Sequence, residues 1–143
     1  MTTEDTAMTL HIANFSHPVT NDQANAILAT TGLHHSVVHG VDTHLDLRAP
    51  LGPQVSEVVE HCSMTPEEWQ TEPIVVVLPA VSVIAAHILA ELHGRMGRFP
   101  SVARFVREIS GAMPSYRLAE VSDLQAWRED ARTRRFGRKE PLL

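Results

Sequence analysis

Residues 74–78 read Ile-Val-Val-Val-Leu, an unbroken β-branched apolar run closed by Pro79. A run of that length with no polar alternation predicts a strand buried on both faces, the usual state in a parallel sheet. Proline cannot donate to a ladder, so Pro79 ends the strand. Ser82 is placed to cap a helix reaching about Met96, with Gly94 and Gly97 at its stop. Val81, Ile84, Ala85, Ile88, Leu89, Leu92 and Met96 form the expected apolar stripe. A second apolar run, Val102 to Val106, follows Arg98-Phe99-Pro100. Strand, tight loop, helix and strand make a βαβ unit. Ligands of open α/β sheets bind beyond the carboxyl ends of the strands. The Leu78-Pro79-Ala80-Val81-Ser82 turn is therefore the first candidate site.

The rest of the chain fits around that unit. Leu10 to Phe15 predicts a first strand and Val19 to Gly32 a first helix, with Thr20 and Gln23 spaced as a capping box. Ser36 to Val41 predicts a second strand, His44 to Pro53 a loop, and Pro53 to Cys62 a second helix. Thr65-Pro66-Glu67-Glu68 is a strong helix start. Gly111 to Ser115 reads as a turn or loop, and Tyr116 to Val121 alternates like an edge strand. Ser122 or Asp123 caps a last helix, Leu124 to about Arg135. The sum is an α/β fold: a small Rossmann-like three-layer sandwich with a mostly parallel sheet. One domain is expected over residues 10–135, with flexible segments at 1–9 and 136–143. A chain of 143 residues suffices for one domain with its own core.

Charge is divided unevenly. Residues 1–94 hold eleven carboxylates and one basic residue, a net −10, whereas residues 95–143 hold eleven basic residues and six carboxylates, a net +5. A net acidic chain is a poor general binder of nucleic-acid backbone, so no DNA partner is expected. The arginines of the second half suit a small anionic ligand or a solvated basic tail. Met1 to Thr9 is polar and acidic, unlike a signal peptide. No apolar run is long enough to span a bilayer, so no membrane partner and a cytoplasmic location are expected. The single cysteine, Cys62, excludes an internal disulfide.

The familiar phosphate motifs are absent: there is no G-x-x-x-x-G-K-[ST] and no G-x-G-x-x-G after a strand. Asn14-Phe15-Ser16-His17-Pro18 closes the first strand, at the same sheet edge as the Pro79 turn. Asn, Ser and His side chains there are able to hydrogen-bond phosphate or a base edge, or simply to bond the turn backbone. His17 is also the one candidate acid or base at that edge. His34, His35, His39 and His44 do not fall on one helix face, and no metal or other cofactor is expected. His87, Glu91 and Arg95 form a polar helical stripe, read as a solvated ladder. Arg95 and Arg98 suit the carbonyls at the helix end. Ala86, Ala90 and Gly94 are a stripe of small residues, suited to tight packing on the sheet or to a helix contact across a homodimer.

Four motifs together carry a resemblance: N-F-S-H-P at the first strand end, T-P-E-E-W, A-E-L-H-G-R-M-G-R-F-P and L-Q-A-W-R-E-D-A-R. From Leu10 to Arg135 the chain resembles the fifteenth Csx family of type III CRISPR accessory proteins. That family is similar to CARF-domain proteins: Rossmann-like, homodimeric and tied to cyclic oligoadenylate second messengers. The resemblance implies binding and sequestration of cyclic tetra-adenylate, which damps antiviral signalling. It implies ligand-binding roles for Asn14, Phe15, Ser16, His17, Pro79, Ala80, Ser82 and Arg104. Val106-Arg107 departs from the family pattern, where arginine then proline is usual. Two alternatives stand beside sequestration. One is a metal-independent ring nuclease with His17 as its catalytic base. The other is a dimeric scaffold without ligand.

Overall fold

A computed structural model describes residues 8–137 of the chain. Five strands form one sheet in the order β2-β1-β3-β4-β5. They are β1 (Leu10–Asn14), β2 (Ser36–Gly40), β3 (Ile74–Val77), β4 (Ser101–Ser110) and β5 (Met113–Asp123). The first four are parallel, and β5 runs antiparallel to β4. The helices are α1 (Asn21–Ala29), α2 (Leu51–Glu60), α3 (Pro66–Thr71), α4 (Ser82–Met96) and α5 (Leu124–Arg135). This is the mostly parallel, single-domain Rossmann-like sandwich that the apolar runs predict. The expected flexible segments fall largely on residues 1–7 and 138–143, outside the described residues.

Every residue of β1 and β3 is buried. The pleat sends alternate side chains to opposite faces. Ala13, Ile74 and Val76 pack with Val55, Val59, Trp69, Ile84, Ile88 and Leu92, beneath α2, α3 and α4. Leu10, Ile12, Val75 and Val77 pack with Ala24 and Ile27 of α1. Arg95 ties α4 to α2: it donates to Glu91 at 2.9 Å, to Glu60 at 2.8 Å and to the Ser56 carbonyl at 3.3 Å. The expected solvated ladder is therefore a strap between two helices, and Arg95 serves a carbonyl of α2 rather than of its own helix end.

Both capping boxes form, Thr20 with Gln23 and Thr65 with Glu68. Gly97 ends α4 at φ 78°, a left-handed conformation that glycine adopts without a Cβ clash. The start of α4 corrects the sequence reading. Val81, still extended, is the cap, and no side chain caps the helix; Ser82 is already its first turn. Val81 is 43% exposed, so the apolar stripe begins at Ile84. Ala86, Ala90 and Gly94 all face outward, which removes sheet packing as their use.

The β4–β5 hairpin is longer than expected. Gly111, at φ 69°, and Ala112 make a two-residue turn between the paired Ser110 and Met113. The expected turn or loop of Gly111 to Ser115 is shorter: Met113, Pro114 and Ser115 lie in β5, where an edge strand tolerates the missing N–H of Pro114. Only Ser101 and Val102 of β4 pair with β3. A register shift at Arg104/Phe105 bends the remainder, as bulges do. The bent arm folds toward α1, where Gln23 donates to the Tyr116 carbonyl at 2.8 Å. α5 has no buried residue and leaves Trp127 63% exposed.

The cap assignments are checked by urea denaturation of three alanine variants. Thr20→Ala and Thr65→Ala each lose about 1 kcal/mol, the usual worth of a side-chain cap. Ser82→Ala stays within about 0.5 kcal/mol of the parent, because its hydroxyl caps nothing.

Candidate functional site at the carboxyl edge of the sheet

Strand register puts the expected residues along one edge. Asn14 lies level with Val77 of β3 and with Gly40 of β2. Val76 lies level with Val102, so continuing that parallel register brings Arg104 to the level of Leu78. The Ser16-His17 turn and the Pro79 turn thus follow the carboxyl ends of β1 and β3, and Arg104, early in β4 (Ser101–Ser110), stands level with Leu78 beside them.

The side chains there divide into frame and rim. Asn14 is 3% exposed and spends its amide on its own turn. Its Oδ1 accepts from the Ser16 N–H at 3.0 Å, and its Nδ2 donates to the His17 carbonyl at 2.9 Å. Phe15 is fully buried in the core, and its N–H donates to the Val77 carbonyl at 2.9 Å. These two residues shape the edge from below rather than offering it side chains. Ser16 is half-buried, and His17, Ala80 and Ser82 are exposed. Pro79 is half-buried at the turn.

Two features of this rim suit an anion. The first-turn N–H groups of a helix lack intrahelical partners, and α4 begins without a side-chain cap to occupy them. Arg104 is exposed and bound to Glu120, with both Nε and a terminal nitrogen at 2.8 Å from Oε2. Hydrogen bonds from Arg104 and then Ser122 hold the Glu120 carboxyl below the usual carboxylate range. A pair so open to water is weak, so Arg104 can exchange Glu120 for another anion at little cost.

Sequence reasoning passed over Thr43, which reaches the same edge from the connection after β2. Its hydroxyl donates to the Phe15 carbonyl at 3.0 Å, across 28 residues of chain. No local pattern marks such a contact. Two hollows among the described residues lie elsewhere. A groove of about 570 Å³ runs beside Trp127 and Asp130 on α5, and one of about 210 Å³ lies at the opposite sheet edge beside Phe99 and Ser101.

His34, His35, His39 and His44, which the sequence reading did not take for a metal site, are not disposed as one among the described residues. His39 instead turns inward to His11, with 2.9 Å between His11 Nδ1 and His39 Nε2. Among the described residues no group of three or more His, Cys, Asp or Glu is disposed to hold a metal ion. No described helix is long and apolar enough to cross a membrane.

Asn14→Ala leaves the Ser16 N–H and the His17 carbonyl without their partner. It is expected to cost about 1–3 kcal/mol, the penalty for abandoned buried polar groups, in chemical denaturation. His17→Ala removes an exposed ring and leaves the denaturation midpoint unchanged. No family model, no curated protein and no solved structure matches this chain.

Proposed function

We propose that the chain is a cytoplasmic homodimer that binds and sequesters cyclic tetra-adenylate, and so damps the type III CRISPR antiviral signal. The observation that carries this reading is the composition of the carboxyl edge. An uncapped helix start and the Ser16-His17 turn follow the ends of β3 and β1, and an exposed arginine in a weak pair stands level with them on the neighbouring β4. Backbone N–H groups and Arg104 suit the phosphates of the ring. Ser16 and His17 suit its riboses or base edges. Asn14 and Phe15 hold the turn that presents them.

A ring of four phosphates and four adenines has the symmetry of a site shared across a two-fold axis. The outward stripe of Ala86, Ala90 and Gly94 supports a homodimer through α4, because small residues let two helix backbones approach closely. Exposed Val83, at 45%, lies at the α4 start and adds apolar area to that contact. A parallel pairing of this kind brings the two helix starts toward a common ligand. Sequestration is favoured over cleavage because His17 is the candidate base on the rim, and the described residues include no lysine to stabilise a transition state.

Cyclic tetra-adenylate is expected to raise the melting temperature in proportion to ligand excess, with smaller shifts for ATP and linear adenylates. His17→Ala is expected to weaken binding by about 1–3 kcal/mol, the worth of a hydrogen bond to a charged group. Product chromatography is expected to show no linear adenylate from either protein. Multiple-turnover cleavage by the parent establishes the ring nuclease instead. No thermal shift at saturating ring leaves the ligand-free scaffold.

A further inference from the structure

We propose that the β4–β5 arm forms a second wall of the carboxyl-edge site, with Tyr116 as the platform on which an adenine base stacks and Arg107 as the cation for the adjoining phosphate. The assignment rests on the reading of that edge as a site for cyclic tetra-adenylate, and it supplies what the edge itself lacks. A base presents two flat faces, and proteins hold such faces on aromatic rings or guanidinium planes. Phe15, the phenyl ring of the first-strand turn, is fully buried and offers no surface. Ser16, Ala80 and Ser82 carry no flat group. His17 is left as the one exposed ring of the turn, whereas a protomer that shares four adenines with its partner faces two.

The arm reaches this edge by its length and its bend. Val76 stands level with Val102, so β3 ends at the level of Ala103 and the rest of β4 projects past the carboxyl edge. At about 3.3 Å per residue, the stretch from Arg104 to Ser110 is roughly 20 Å long. The register shift at Arg104/Phe105 turns that length toward α1. One side chain then fastens it. Gln23 Oε1 accepts from the Thr20 N–H at 3.0 Å, and Gln23 Nε2 donates to the Tyr116 carbonyl at 2.8 Å. Thr20 is the third residue after His17. A single amide thus ties Tyr116 to the connection that carries Ser16 and His17.

The pleat decides which way the arm's side chains point. Phe105 and Leu118 are a cross-strand pair, and both pack against the core on the α1 side. Arg107 and Tyr116 are the next pair outward on that face. Both are exposed, Tyr116 at 57%. Among the arm's arginines, Arg104 pairs with Glu120 and Arg117 with Glu108. Arg107 has no ion pair among the described residues, so it takes an anion without giving up a partner. The backbone of Tyr116 is already held by Gln23, and a tyrosine has few torsions to freeze, so stacking costs little ordering.

The two walls serve opposite sides of the edge. Arg104 shares its side of the pleat with Val102, which packs on the α4 side of the sheet. The start of α4 and Arg104 therefore meet one side of a ligand lying across the strand ends, and the arm meets the other.

The chain has a single tyrosine, so tyrosine-selective labelling gives Tyr116 as one set of ring signals in NMR. Cyclic tetra-adenylate is expected to move those signals upfield, the mark of a stacked purine, and inorganic tripolyphosphate to leave them in place. In calorimetry Tyr116→Leu is expected to weaken ring binding by about 5- to 150-fold, the effect of one base stacked on an aromatic side chain. Tyr116→Phe keeps the platform and stays within about twofold of the parent. Arg107→Gln weakens binding by about tenfold or more and lowers its salt dependence, as loss of a phosphate contact does. The substituted positions are exposed and the Gln23 bond is to backbone, so all three variants keep the parent's denaturation midpoint. Ring binding by the parent with unmoved Tyr116 signals, or with equal affinity in Tyr116→Leu, overturns the arm wall and leaves the reading of the edge standing. A loss that Tyr116→Phe fails to rescue overturns the stacking role, and unchanged affinity in Arg107→Gln overturns the phosphate role. A parent that binds no ring overturns the reading of the edge and the arm wall with it. If Tyr116→Leu does not fold, the ring signals of the parent decide.

Discussion

Two short strands buried on both faces are the constraint on which this protein depends. β1 and β3 lie side by side at the middle of the sheet, and no residue of either reaches solvent appreciably. A strand in that position must have helices above and below it. The chain meets the requirement with α2, α3 and α4 on one face and α1, helped by the bent β4–β5 arm, on the other. Burial on both faces also forces the ends of β1 and β3 into register. That register brings turns separated by about sixty residues to one edge.

The carboxyl edge is built on a division of labour. Its frame is internal: Asn14 closes its own turn, Phe15 is locked in the core, and Thr43 pins the Phe15 carbonyl. Its rim is open, with an uncapped helix and an arginine held only by an exposed partner. A rigid frame under a weakly occupied rim binds without first dismantling stabilising contacts.

Stability is distributed unevenly around that centre. The α2–α4 side is dense, with Trp69, Ile88 and Leu92 fully enclosed and Arg95 bridging two helices. The flanks are thin. β2 buries no residue and neither does α5. Elements with so little buried apolar area open most readily. On the β2 side a polar pair, His11 and His39, stands where an apolar anchor is missing.

By itself the sequence determined the βαβ unit, both threonine capping boxes, the glycine stop of α4 and the parallel character of the sheet. Each is written in residues adjacent or three to four apart, so local sterics and hydrogen bonding decide them. It also marked the carboxyl edge of the sheet, because strand ends follow from strand direction. Tertiary structure alone decided the rest. Asn14 and Phe15 look available in the motif, yet strand depth turns them inward. Ser82 looks like a cap, yet the path after Pro79 leaves Val81 in that place. Arg95 reads as part of a solvated stripe until α2 is packed beside it. His39 reads as one of four scattered histidines until β2 is laid against β1 and meets His11. These contacts join residues 28 to 61 positions apart, and no local rule carries that distance.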